Sequence, residues 1–529
     1  MSRFLQKQRS AIGLLPLSVV CTLATMLMLS ACATRTAGPY IQPEAEYALP
    51  ARTGDVFAAI ESDIRDTYGA ESSGFQLIDT NEDGLRWRLA LIDSARYSID
   101  AQYYLWYGDA AGRILIKRLR DAADRGVRVR MLVDDINTLL RDAGTIQQRD
   151  EIAAWVDSHP NMELRLFNPW ANKSVAGRFS EATTNLKQLN QRMHNKALIV
   201  DNRAVILGGR NVGDEYMGLN PDFNFHDIDV LGIGPVARQT SVIFDHYWNS
   251  DWVMQVAALG LEILPEQMAE GGEQLEALLA EDRALDNFPL EPQSWSAELE
   301  TLQGSLHIGT GEVVSDLPTA DGIEHVMLER IRSMMRMPNT ELMIVNAYII
   351  PTDTGMTILQ ELTDRDVESV ILTNSLASHD VPAVNSHYKG WRKPILKTGA
   401  KLYELRHDAA IQGLISDTPP TQAEFIGLHS KAMVVDREYV FIGSMNFDPR
   451  SALTNTEMGA FIQSPGLGNE LAELIERDTL PANSWKVELD QDEKLRWTND
   501  EETVTSQPAR SWWQRVQDVL FRAVPKGYY

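Results

Sequence analysis

One pattern of eighteen residues, written twice, constrains this chain more than any other feature. Residues 194–211, HNKALIVDNRAVILGGRN, and 429–446, HSKAMVVDREYVFIGSMN, both read H-x-K-x4-D-x6-G-[GS]-x-N without a gap. The first copy supplies His194, Lys196, Asp201, Gly208, Gly209 and Asn211. The second supplies His429, Lys431, Asp436, Gly443, Ser444 and Asn446. Each copy has the form of a hairpin. His and Lys stand at a strand start and share one face through their i, i+2 spacing. An apolar strand follows, then a turn, then a second apolar strand ending in Gly, whose missing Cβ lets backbone approach a ligand, so Gly209 and Ser444 are candidate substrate contacts. A lone H-x-K is common by chance, but two full copies are not.

The surrounding sequence repeats as well. Helical spacing of Leu85, Leu89 and Ile92 precedes a β-rich run at 97–106. An amphipathic helix, AGRILIKRLRDAADRG, closes at Gly126, and 127–135 alternates as the next strand. Strand, helix and strand at this spacing form a βαβ unit with parallel pairing. The second half follows the same order, with a strand at 341–351, a helix at 354–364, a strand at 367–375 and a strand at 400–406 that matches 162–168. Tyr348 aligns with Tyr103 and Val367 with Val127. A period near 240 residues is too long for a solenoid and predicts two whole α/β domains facing each other. The expected division is 1–31 an export signal, 32–55 a tether, 56–255 the first domain, 256–320 an acidic linker, 321–480 the second domain, and 481–529 a hairpin with an amphipathic C-terminal helix. That helix carries Trp512, Trp513, Val516, Val519, Leu520 and Val524. Its apolar face either packs on the domain or, with Arg515, Arg522 and Lys526 beside it, meets an anionic membrane surface.

The N-terminus reads as an address. Arg3, Lys7 and Arg9 precede the apolar run 11–29, which ends in Leu29-Ser30-Ala31-Cys32. This tetrapeptide resembles the bacterial lipobox, which implies acylation of Cys32. Ala33 in place of Asp, by enterobacterial sorting rules, implies the outer membrane seen from the periplasm. No other stretch approaches about 20 consecutive apolar residues, so the body is not expected to span a membrane. Cys21 leaves with the signal, which excludes a disulfide framework and any Cys-rich metal site. The chain has 49 Lys and Arg against 74 Asp and Glu, a net charge of −25, so no nucleic-acid partner is expected.

Two His, two Lys and two Asn suit phosphoryl chemistry. One imidazole can attack phosphorus and form a phospho-enzyme, and a second can protonate the departing alcohol. The two ammonium groups and the Asn amides can hold negative charge on phosphoryl oxygens, so neither a metal nor a cofactor is expected.

This residue set resembles the phospholipase D superfamily, its bacterial cardiolipin synthases above all. The likeness extends to DAQYYLW, GGRNVGDEY, FDHYWNS and GSMNFDPRSALTNTEMG. It implies a duplicated fold of two α-β-α sandwich domains with the active site at their interface. It further implies a carboxylate downstream of each motif that aims a histidine, Asp227 after the first and Glu457 after the second. Asp201 and Asp436, at the far ends of their strands, are expected to be structural. The family's usual order makes His194 the nucleophile and His429 the general acid and base. One departure lies at 383–393, where Asn385 replaces the family's His and His387 a small residue, which bears on headgroup or acceptor contacts. The implied activity is phosphatidyl transfer on membrane phospholipids, with hydrolysis to phosphatidic acid as the alternative. A nuclease and a non-catalytic envelope lipoprotein fit the charge and the intact motifs less well.

Overall fold

The structure, a computed structural model, describes residues 42–134, 146–169, 190–259, 263–380 and 382–520. The export signal, Cys32, Arg522, Val524 and Lys526 lie outside these residues.

The duplicated order predicted from sequence builds one continuous sheet. In the first half the strands Ser98–Tyr103, Arg128–Val133 and Met162–Phe167 pair in parallel. The helix Ala110–Asp124 makes the crossover. It starts where the Asp109 side chain accepts from the Gly112 amide and stops before Gly126, whose φ of +94° suits a residue without Cβ. On its other edge Ser98–Tyr103 pairs antiparallel with Ala197–Val200, the first strand of the motif hairpin. Ala204–Gly208, Asp229–Ile233 and Ser72–Ile78 follow, each antiparallel to the last.

The second half repeats this order. Glu341–Asn346, Glu368–Asn374 and Lys401–Leu405 are parallel. Glu341–Asn346 also pairs with Lys431–Val435, which leads to Tyr439–Gly443, Met458–Gln463 and His307–Ser315. The pairing register makes Val345 the counterpart of Gln102, since each faces the Ala that follows its motif Lys. Tyr348 therefore stands two residues past the counterpart of Tyr103, which is Asn346.

The halves join through the antiparallel pair Ser72–Ile78 and His307–Ser315. His307–Ser315 lies in the stretch read as acidic linker, yet it is an integral strand held on both edges. A helix earlier in that stretch is also seated on the fold. The helix Pro265–Glu281 buries Gly271 and Gly272, whose bare Cα atoms let Glu151 and Trp155 of the helix Ile146–Asp157 come close. The predicted C-terminal hairpin is Ser484–Leu489 with Leu495–Thr498.

Three apolar clusters account for the layering. One belongs to the first half and includes Leu89, Ile99, Ile114 and Met131. Another belongs to the second half and includes Ile331, Ile344, Ile358 and Trp485. The cluster between them takes Phe75, Ile199 and Trp248 from one half and Val345, Val434 and Leu471 from the other. Burial on this scale stabilises by roughly 25 cal/mol per Å² of apolar surface, and the shared layer ties the two halves into one body. From Ala45 onward the described residues belong to one compact unit.

Candidate active site

Two segments lace the halves together beside the motifs. The His194 amide donates to the Thr456 carbonyl at 2.9 Å, and Thr456 donates back to Arg192 at 2.8 Å. In the second copy the His429 amide donates to the His226 carbonyl at 2.8 Å, where Phe223–His226 runs parallel to Phe425–Leu428. Each motif histidine thus sits on backbone paired with the residue before a carboxylate of the opposite half. The consequence is a crossed pairing that local sequence does not reveal. His194 Nδ1 lies 2.9 Å from Glu457 Oε2, and His429 Nδ1 lies 2.6 Å from Asp227 Oδ2. Each carboxylate holds one ring nitrogen and so turns Nε2 toward the site, as the orienting acid of a triad does.

The lysines complete two equivalent corners. Lys196 Nζ donates to the His194 carbonyl at 2.6 Å, and Lys431 Nζ donates to the His429 carbonyl. Both are buried, with the Tyr104 ring 5.5 Å from Lys196 Nζ and the Tyr348 ring 6.0 Å from Lys431 Nζ. Tyr104 also meets the His194 ring edge-on at 5.1 Å, and Tyr216 meets His429 at 5.2 Å. Asn211 Oδ1 accepts from the Leu105 amide, which fixes the loop carrying Tyr104. Asn446 is buried, and its Oδ1 has no hydrogen-bond partner among the described residues.

Gly209 and Ser444 occupy matching positions and both serve the carboxylates. A Cβ on Gly209 would lie 2.1 Å from Asp227 Oδ1, so glycine makes room for that acid. The Ser444 hydroxyl donates to Glu457 Oε2 at 2.5 Å. The contact the structure shows for these two residues is with the histidine holders. Asp201 accepts from the amides of Arg96, Tyr97 and Ser98. Asp436 accepts from those of Asn339, Thr340 and Glu341. Both lie at the far end of their strands and stitch the turn before the neighbouring strand.

The electrostatics of the two corners differ. Burial holds His194 well below the usual imidazole range, with Lys196, Lys431 and His429 adding to it. Burial also lowers His429, but Asp227 opposes that shift. Asp227 itself titrates below the usual carboxylate range: burial would raise it, but His429, Lys431 and Arg210 outweigh burial. Glu457 is pushed up to about 8 by burial, against the pull of Lys196 and Ser444. Lys196 falls to about 7 and Lys431 to about 8, chiefly through burial. A bound anion between them favours their charged forms. Among the described residues no three His, Cys, Asp or Glu side chains are grouped to hold a metal ion.

Sequence reasoning missed Tyr216, Phe225, Tyr348 and Asp380. Tyr348 donates to Asp380 at 2.8 Å and stacks on His379. None lies inside the repeated pattern; Tyr216 and Phe225 follow its first copy closely in the chain, whereas Tyr348 and Asp380 are far from both copies and carried no such signal.

Residues 89–248 and 331–479 match the family described as cardiolipin synthase, PLD-like domain. The chain belongs to this family. Its two matched segments contain both histidine–lysine corners and both carboxylates, which makes this phospholipase D-type protein an enzyme with a complete pair of motifs. Cardiolipin synthase C of Escherichia coli strain K12 is 34% identical, over 85% of this chain and 94% of that protein. Cardiolipin synthase A of Pseudomonas entomophila strain L48 is 25% identical, over 83% of this chain and 75% of its own. The crystal structure of phosphatidylserine synthase from Haemophilus influenzae Rd KW20 shares the fold. It superposes with a TM-score of 0.53 at 13% identity, covering 80% of this chain and 91% of that one.

Proposed function

We propose that this enzyme moves a phosphatidyl group between alcohols on membrane phospholipids through a phosphohistidine, forming cardiolipin from phosphatidylglycerol and a second phospholipid. The observation that carries the reading is the crossed, unequal pair of histidine corners. His194, held neutral, attacks phosphorus through Nε2. The bond from phosphorus to the headgroup oxygen breaks, and His429 gives its Nε2 proton to that oxygen. Asp227, ionised, supports the imidazolium that His429 must be before this step. Lys196, Lys431, Asn211 and Asn446 hold the charge that grows on the phosphoryl oxygens. In the second step neutral His429 takes the proton of the acceptor hydroxyl, the acceptor oxygen bonds to phosphorus, and His194 leaves.

Water as acceptor would give phosphatidic acid by the same residues. Incubation with defined donor and acceptor lipids, read by mass analysis, separates the two. Cardiolipin formed at the expense of phosphatidylglycerol is the expected product. Phosphatidic acid alone would make the enzyme a hydrolase.

The same reading places the enzyme on a membrane through acylated Cys32, facing the periplasm, on the outer membrane rather than the inner. No helix among the described residues is long and apolar enough to cross a membrane. Cys32→Ser should abolish acyl labelling, and a variant still labelled would refute the lipobox.

A further inference from the structure

The C-terminal helix Trp512–Leu520 packs inside out. An amphipathic helix ordinarily turns its apolar stripe inward. Here Trp512, Trp513, Val519 and Leu520 are 73%, 55%, 65% and 62% exposed, while Gln514 and Asp518 are 5% and 2% exposed. The spacing makes this one decision rather than several. Residues 512, 516, 519 and 520 share a face, and 514 and 518 share the opposite one.

The polar face is anchored, so the orientation is fixed. Asp518 accepts from Asn385 at 2.6 Å, Lys389 at 2.6 Å and Gln507 at 3.0 Å. Gln514 donates its side-chain amide to the Leu376 carbonyl. Rolling the helix to hide its tryptophans would strand Asp518 away from Lys389 and leave Lys389 without it. Asn385, the departure from the family's usual residue, is thus committed to this helix.

Two further facts select the occupant of the exposed face. Between Ser506 and Leu520 the charged residues are Arg510, Arg515 and Asp518, and Asp518 is already paired with Lys389. Within this segment the two arginines are therefore the charges left over, on a chain of net charge −25, with Asp380 and Glu424 near Arg510, and Arg515 flanking the exposed face. The helix also adjoins the active site. Leu376 stands two residues past Asn374, whose side-chain amide donates to the Leu428 carbonyl beside His429. The Arg510 guanidinium lies 3.3 Å from the centre of the Phe425 ring, at the start of the strand that ends before His429. Two tryptophans with aliphatic neighbours and flanking arginines form the composition of a helix lying in an anionic lipid interface.

We propose that this face is the surface with which the enzyme rests on an anionic bilayer, setting the active-site mouth at headgroup depth. The proposal builds on the phospholipid substrate inferred above. Its test uses the chain from Ala33 onward, which lacks the apolar run 11–29, both native thiols and the acyl anchor and keeps the whole compact unit that begins at Ala45. Val519→Cys in that background takes an environment-sensitive fluorophore. Vesicles of phosphatidylcholine with phosphatidylglycerol should shift the emission to the blue, and phosphatidylcholine alone should do so more weakly. In the same chain from Ala33 onward, Trp512→Ala with Trp513→Ala should lower the vesicle-bound fraction about tenfold. The ratio of turnover on vesicles to turnover on a monomeric short-chain diester should fall with it. Arg515→Glu should weaken binding to anionic vesicles only.

An emission unchanged by vesicles, or vesicle binding unaltered in the tryptophan variant, would overturn the proposal. So would a probe already shielded without lipid: with concentration dependence it would reveal a second copy on this face, and without it a segment of the same chain. Failure of the enzyme on every diester would refute the proposed reaction and leave the fluorescence answer standing.

Discussion

The two histidine corners come from one repeated pattern, yet they are not chemically alike. His429 faces Asp227, which Lys431 and Arg210 keep ionised. His194 faces Glu457, which burial pushes up to about 8 and which shares its carboxylate with Ser444. The motif residues themselves are nearly identical, so the asymmetry enters through the acids, and each acid belongs to the opposite half. Duplication supplied two equal imidazoles, and the crossing of their holders makes them unequal. In the proposed mechanism the ionised partner suits the histidine that must carry a proton, and His194 is the one assigned to attack.

The sharpest break of this comparison is removal of either imidazole. His194→Asn and His429→Asn should each lower phosphatidyl transfer from natural lipids by about 10⁴-fold or more, as for groups acting as one unit. Steady-state cardiolipin formation checks this, and activity within tenfold of wild type in either variant would refute the shared mechanism.

Next in size are the holders. Asp227→Asn should cost about 10³- to 10⁴-fold on natural lipids by leaving the His429 imidazolium without its anion. Gly209→Ala should imitate it, because its Cβ meets Asp227 Oδ1 at 2.1 Å. Above about pH 8, where Glu457 is ionised, Glu457→Gln should cost about tenfold, since an amide oxygen still accepts from Nδ1 but carries no charge. Equal losses at 227 and 457 would erase the distinction between the corners.

A pH profile sharpens it further. Below about 8 Glu457 keeps its proton and donates to His194 Nδ1, so the proton of neutral His194 sits on Nε2 and blocks attack. Above about 8 the carboxylate accepts from Nδ1–H and frees Nε2. The rate of phospho-enzyme formation should therefore rise with pH through about 8, and Glu457→Gln should flatten that limb. In the free enzyme Lys196 and Lys431 lose charge over the same range, so KM should rise with pH. The smallest effect is Ser444→Ala, which removes one hydrogen bond to Glu457 and should cost about fivefold.

Much of this molecule was legible in the sequence. The gapless repeat located both hairpins, and the periodicity of 110–124 and 128–133 located the βαβ unit. The crossing was not legible, because no local signal tells which half an acid will face. It follows from the backbone pairs between His194 and Thr456 and between His429 and His226, formed where the halves join through Ser72–Ile78 and His307–Ser315. The latter looked like linker because its strand is held by edge hydrogen bonds while most of its side chains stay partly exposed. The C-terminal helix misleads for a related reason. Its pattern gives the direction of an apolar face, but Asp518, Asn385 and Lys389 decide which way that face points.

The direct test of the division of labour is to trap the covalent intermediate. A diester with a leaving group that departs without protonation is mixed with enzyme in a single turnover, and the adduct is mapped on peptides kept alkaline to spare phosphohistidine. The adduct should lie on His194. It should be absent from His194→Asn, and in His429→Asn it should form but decay slowly, for want of a base to activate the acceptor. An adduct on His429 would reverse the assignment, and its absence from wild type would replace the two-step mechanism with direct displacement by the acceptor.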